Sequence, residues 1–150
     1  MRTYIALAVL LFSLAPQWAL GADQVQFTGA TDVSTGPWYY GSPDLVDQQN
    51  VCVFKVGADD SWQVTGSGDG PGSTFIVQDI SSNTLPVEIS INNNVLTPTV
   101  ALTGQMNADL ASSNCSGSPN QIIKVRIDAT DLSSATPGTY TGTITLQAAP

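Results

Sequence analysis

From Thr139 to Leu146 polar and apolar positions alternate. Tyr140, Ile144 and Leu146 share one face, and Thr139, Thr141, Thr143 and Thr145 share the other. A period of two is that of a β-strand with one buried and one wet side. Pro137-Gly138 just ahead supplies the turn that starts it. The same grammar recurs upstream. Strands are expected at 25–28, where Val25 and Phe27 alternate, and at 51–56, where Cys52, Phe54 and Val56 share a face. Others are expected around Trp62 and Val64, at 74–78, at 85–91 on Leu85, Val87, Ile89 and Ile91, at 97–102, and at 123–127 on Ile123, Val125 and Ile127. Gly66 to Gly72 reads as a hairpin loop between the third and fourth of these, and Asn92-Asn93-Asn94 as a turn. No helix is expected; residues 107–112 could make one turn at most. Seven or eight short strands without helices predict an all-β fold, an antiparallel sandwich of immunoglobulin-like type in a single domain.

The first 21 residues break this grammar. Arg2 is followed by an apolar run from Tyr4 to Leu14, and Ala19-Leu20-Gly21 is a small-x-small sequence. The run is too short to span a bilayer, which takes about 20 apolar residues. The arrangement is that of a secretory signal peptide. Residues 1–21 are therefore expected to be removed, leaving 22–150 as the folded domain, and no membrane span is expected.

Charge narrows the partners. Against 12 acidic residues, all beyond position 21, the domain sets only Lys55, Lys124 and Arg126, a net of −9. Nucleic acids and anionic membranes both require a basic patch, so neither is an expected partner. Export to an oxidising compartment makes a Cys52–Cys115 disulfide the expected state of the two cysteines. In the chain-entropy account such a bridge stabilises by about 4 kcal/mol. With no histidine and no third cysteine, a zinc site is not expected.

Catalytic chemistry finds little to use. The absence of histidine removes the commonest general base and the usual nucleophilic triads. The alternating glycines 66, 68, 70 and 72 lack the Lys-Ser/Thr and following helix of a phosphate loop. Asp59, Asp60 and Asp69 do not have the spacing of an EF-hand and read as turn residues. No catalytic residue, cofactor or metal is expected. Trp38, Tyr39 and Tyr40, flanked by Gly36-Pro37 and Gly41, form a dense aromatic cluster. Exposed, it would offer a platform for a sugar or protein; alternatively one or two of its rings cap the core.

Several blocks together resemble a known family. They are Gly36-Pro37-Trp38, Val51-Cys52-Val53-Phe54, Trp62-Gln63-Val64-Thr65, Phe75 to Val77, Leu85-Pro86-Val87, Leu96-Thr97-Pro98, Asn114-Cys115-Ser116-Gly117 and, most closely, the stretch from Asp131 to Gly142. In this order they resemble the bacterial chaperone–usher pilin-like subunits, in the branch grouped with spore coat protein U domains, over most of 26–150. Many relatives carry Asp where this chain has Gly142, a departure expected to change little.

The resemblance implies a sandwich lacking one strand. A periplasmic chaperone, and then a neighbouring subunit, lends a strand to the open groove by β-augmentation. On this view Tyr140, Ile144 and Leu146 wall the acceptor groove, and the protein is a non-enzymatic subunit of a fimbria-like surface structure, exported through the periplasm. In a self-complete sandwich the same residues are ordinary core, and the protein is a secreted adhesin or a carbohydrate- or protein-binding module meeting a host or surface ligand through Trp38–Tyr40. A secreted hydrolase would need a convergent acidic pocket. Val25, Phe27, Gly29, Thr31 and Val33 also alternate. They could form a donor extension or simply include the domain's first strand.

Overall fold

The structure, a computed structural model, describes residues 24–150 in full and residues 4–14 as backbone. The proposed cleavage site at Ala19-Leu20-Gly21 lies outside the described residues. The fold is an all-β sandwich of two sheets, as the alternation predicts.

The first sheet runs in the order β11 (Leu102–Gln105), β6 (Trp62–Gly68), β13 (Thr139–Ala149), β1 (Tyr4–Leu14) and β3 (Val33–Ser34). Beside β3, β4 (Trp38–Tyr39) also pairs with β1, while β7 (Ile76–Gln78) pairs with β13 and with β8 (Thr84–Pro86). The second sheet runs β10 (Asn94–Val95), β9 (Glu88–Ile91), β12 (Gln121–Ile127), β5 (Leu45–Val56) and β2 (Gln24–Thr28). Among the described residues all ladders are antiparallel except one: β1 lies parallel to β13.

In β6, β12 and β13 the buried faces are those the period-two pattern marks; in β5 the expected face of Cys52, Phe54 and Val56 gives way to its opposite, with Val51, Val53 and Lys55 buried and Val56 exposed. Tyr140, Ile144 and Leu146 of β13, Ile123, Val125 and Ile127 of β12, and Trp62 and Val64 of β6 meet in one core. Phe27 of β2 packs edge-on against Trp62 with ring centroids 5.4 Å apart. Residues 25–28 thus belong to an edge strand of the second sheet, paired with β5 from Gln24↔Val56 to Thr28↔Cys52. The alternation at 85–91 hides a change of sheet. Leu85 pairs with β7 in the first sheet and Ile89 with β12 in the second. Between them the Val87 N–H donates to the Phe75 carbonyl at 3.0 Å.

The strand expected at 97–102 is found at Leu102–Gln105, after a turn in which the Val100 N–H donates to the Thr97 carbonyl, and three further local expectations are corrected. First, β6 and β7 do not form a hairpin. Both lie on the same edge of β13, one beyond the other, with Ile144↔Gly68 and Thr141↔Gln78 in register. The glycines serve close approach: a Cβ on Gly66 would meet the Phe75 ring at 2.7 Å, and one on Gly68 or Gly70 would collide with Thr74. Second, there is a helix, α1 (Ala129–Ser134). Its N-cap Asp128 accepts from the Thr130 N–H, and it sends a single apolar side chain, Leu132, into the core. One inward residue leaves no periodicity to read. Residues 107–112 form instead a loop in which the Asp109 carboxylate accepts from the Ala111 and Ser112 N–H groups. Third, β5 begins at Leu45, not Val51, because the polar run through Asn50 pairs in full with β12.

The Cys52–Cys115 disulfide forms, with a sequence separation of 63. It joins β5 to the turn ahead of its neighbour β12. Amide side chains pin the same region. Asn120 donates to the carbonyls of Val53 and Asn107 and accepts from the Val53 N–H. Gln121, fully buried, donates to the carbonyls of Met106 and Asn107 and accepts from Asn92.

Gly142, expected to be tolerant of a side chain, sits where one does not fit. A Cβ there would sit 2.5 Å from the Ile76 carbonyl oxygen and 3.3 Å from Val77 Cα, so any side chain pushes β7 off β13. Overpacking of this kind costs about 1–3 kcal/mol. Gly142→Ala in the full chain is expected to lose that much in urea denaturation. A change within about 0.5 kcal/mol, the range of an inert surface substitution, would show that β7 yields freely.

Candidate functional site

The site is the edge of β13. A strand presents its N–H groups alternately to its two neighbours. The Thr143 N–H is taken on the β6–β7 side, where the Asp69 Oδ2 accepts it at 2.7 Å in the gap between the two strands. The odd-numbered residues of β13 therefore bond toward β6 and β7, and Tyr140, Gly142, Ile144 and Leu146 turn their backbone groups toward β1. The pairing agrees: the Gly66 carbonyl, one residue off the Ser67↔Thr145 register, points away from β13 and accepts from the Thr99 N–H.

Along that edge β1 keeps eight register pairs, from Ala6↔Thr139 to Leu14↔Leu146, with one irregularity between Ala6 and Ala8. Leu10, Phe12 and Leu14 stand opposite Gly142, Ile144 and Leu146. The other edge of β1 carries β3, through Val9↔Ser34 and Leu10↔Val33, and β4, through Tyr4↔Tyr39 and Ile5↔Trp38. Among the described residues, β1 is the only ladder partner of β3 and β4. The strand expected to wall a groove and the aromatic cluster, separate features in the sequence, therefore flank one strand.

The side chains divide as follows. Tyr140, Ile144 and Leu146 are fully inside the sandwich. The Tyr140 hydroxyl donates to the Thr136 carbonyl at 2.8 Å, the bond of a tyrosine corner at the start of a strand. Burial, helped by the nearby Asp79 charge and opposed by that bond, raises its pKa and keeps the phenol neutral. Trp38 is buried and its indole N–H donates to the Pro43 carbonyl at 2.8 Å. Tyr39 and Tyr40 are 45% and 79% exposed. The cluster thus divides, with one ring capping the core and two facing outward.

The carboxylates are occupied as caps. Asp69 and Asp79 line an open depression of about 730 Å³ beside Thr141 and Thr143. Asp69 holds the Thr143 N–H, and Asp79 accepts from Asn83 and from the Ser81 N–H. The bond from the Asn83 side chain is the main cause that lowers the Asp79 pKa, the opposite of what a general acid needs. Asp60 accepts from the Asn107 N–H. Among the described residues no group of three His, Cys, Asp or Glu side chains could hold a metal ion. Arg126, noticed in the sequence only as one of three bases, gathers Asp44, Glu88 and Asp128 at 2.7, 3.5 and 2.8 Å. Its bond to Asp44 raises its pKa, and Asp44 also accepts the Ala129 N–H, fixing the start of α1.

Lys55 was noticed only as one of three bases. It is 2% exposed, and its ammonium donates to Asp59 at 2.8 Å and to the Ser61 carbonyl at 2.7 Å. This closes the loop between β5 and β6.

No family model matches the chain, and no curated protein matches it. The disulfide is consistent with an oxidising compartment outside the cytoplasm. Among the described residues no helix is long and apolar enough to cross a membrane.

The Lys55–Asp59 pair makes a pH prediction. The Lys55 bond, with those from Ser61, lowers the Asp59 pKa from 3.8 to about 2. A carboxyl depressed in the folded state contributes stability that is full above its unfolded value and is lost as pH falls through the folded one. The urea midpoint of the full chain is expected to hold from pH 7 to about 4 and to fall toward pH 2. Asp59→Asn should lower the midpoint at pH 7 and flatten the acid limb. An unchanged limb would show that solvent screens the pair completely.

Proposed function

We propose that this protein is a non-enzymatic secreted subunit of a bacterial surface structure, assembled when a donor strand completes its first sheet. The observation that carries the reading is the cover on the inner edge of β13. The backbone groups of Tyr140, Gly142, Ile144 and Leu146 face β1 alone, and β1 is the apolar run that the sequence marks as a removable leader. Removing it opens a groove between β13 and the β3–β4 segment. An open strand edge above an apolar core recruits another strand or aggregates. A periplasmic chaperone, followed by a neighbouring pilin-like subunit, would supply that strand.

The chemistry around the site suits assembly better than turnover. The nearby carboxylates are committed to backbone N–H groups, and the inward side chains of β13 are hydrocarbon and a neutral phenol.

The second reading is an adhesin or a carbohydrate- or protein-binding module, self-complete in its processed form. The exposure of Tyr39 and Tyr40 favours it. Backbone exchange separates the two. Residues 22–150 are expressed in an oxidising periplasm, alone and with a candidate chaperone. On the acceptor reading, the chain alone aggregates or exchanges fast at the Gly142, Ile144 and Leu146 amides, while Thr145 and Gln147, bonded to β6, stay protected. A one-to-one chaperone complex slows the first set by at least tenfold. A stable monomer with both sets protected would overturn the acceptor reading and turn attention to Tyr39 and Tyr40.

A further inference from the structure

The β1–β13 ladder carries more than an open edge: it has direction and register. It is parallel where every other strand ladder among the described residues is antiparallel, and it joins residues near the start of the chain to its last strand. Seven pairs run without slippage from Ala8 onward, and the same backbone closes the β3 and β4 edges on its far side. The segment thus satisfies two edges at once, in the one register observed.

Resting on the acceptor reading above, we propose that residues 4–14 are the groove's first occupant. They form a placeholder strand supplied in cis, bound parallel to β13 in a single register, and must leave before a strand from another molecule can enter. In the unprocessed chain the acceptor edge is closed by the chain itself. Processing removes the placeholder's tether, so the edge becomes available only once the leader is cut. Premature pairing between two unprocessed chains is suppressed because the cis segment competes at the high effective concentration of a short tether.

The physical logic is that of an intramolecular competitor. An apolar run of eleven residues would otherwise lie exposed next to an unpaired edge, the two most aggregation-prone features of the sequence. Pairing them satisfies the backbone groups of both.

The test uses the full chain, refolded in glutathione buffer with the Cys52–Cys115 bridge formed. Ser13→Cys with Thr145→Cys places a cysteine pair at partnered positions of the parallel register. Val9→Cys with Thr145→Cys places one where an antiparallel strand centred on the same point would meet. Peptide mapping by mass spectrometry is expected to find the first cross-link at least fivefold more abundant than the second. Equal yields, or the reverse order, overturn the proposal. The locked Ser13→Cys/Thr145→Cys chain and an alkylated Thr145→Cys control are then offered a fluorescent synthetic peptide with the sequence of residues 4–14. Uptake by the locked chain should be at least tenfold lower. Equal uptake would show that the run does not occupy the groove. These outcomes separate from those of the acceptor test. A wrong register with chaperone capture intact defeats the placeholder alone. Protected Gly142, Ile144 and Leu146 amides in the processed monomer defeat the acceptor reading itself.

Discussion

A strand in the interior of a sheet needs hydrogen-bond partners on both edges, and β13 is the strand on which this structure tests that requirement. Its odd-numbered residues bond to β6 and β7, with Asp69 filling the gap between them. Its even-numbered residues bond toward β1, and their side chains form much of the core. The same positions therefore carry both the apolar packing and the pairing with β1. An unmade backbone bond at a buried strand costs the desolvation of both groups, about 1–3 kcal/mol each. Several in a row are enough to decide whether a domain of this size folds.

The rest of the molecule is built to hold β13 in place. Gly66, Gly68 and Gly70 let residues 74–76 cross close above β6, which delivers β7 to the same edge. Gly142 lets β7 come close enough to pair. Tyr140 ties the beginning of the strand to Thr136, and α1 sets the course of the chain just before it. In the opposite sheet the disulfide, Asn120 and Gln121 fasten β5 and β12 to the loop around Asn107. The second sheet is thereby fastened by side-chain bonds and a disulfide, and the first is held at β13 by backbone pairing on both edges.

What was legible in the sequence follows from what leaves a period. Strands with one wet face, such as β12 and β13, show themselves by alternation, and so does the core they build. The change of sheet at Val87 does not, because both halves bury the same parity of residue. The glycines of β6 look like a loop because glycine signals a turn and close backbone approach in the same letter. The helix at Ala129 left only the Asp128 cap and the first-turn Asp131 as signals, both of which also mark turns. At the site, Tyr140, Ile144 and Leu146 were readable as an inward face, whereas their partner was not. The run at 4–14 is apolar apart from Ser13 and shows no alternation, so nothing in it distinguishes a strand from a leader. Lys55 was hidden for the opposite reason: a lysine on a strand is ordinarily on the wet face, and only the loop geometry shows that Asp59 and Ser61 come to meet it.

The parallel sense of the β1–β13 ladder also has a mechanical meaning. In a parallel pair the first residue of one strand lies beside the first residue of the other, so pulling β1 by its N-terminal end and β13 by its C-terminal end drags the strands along each other's length. All eight pairs then bear the load together, in shear. An antiparallel strand on the same edge, pulled at those same two ends, would have both tethers at one end of the ladder and would open like a zipper, one bond after another. A cover held in shear resists sustained tension yet comes away when its own end is peeled sideways, so the direction of the force, more than its size, decides when the edge is uncovered.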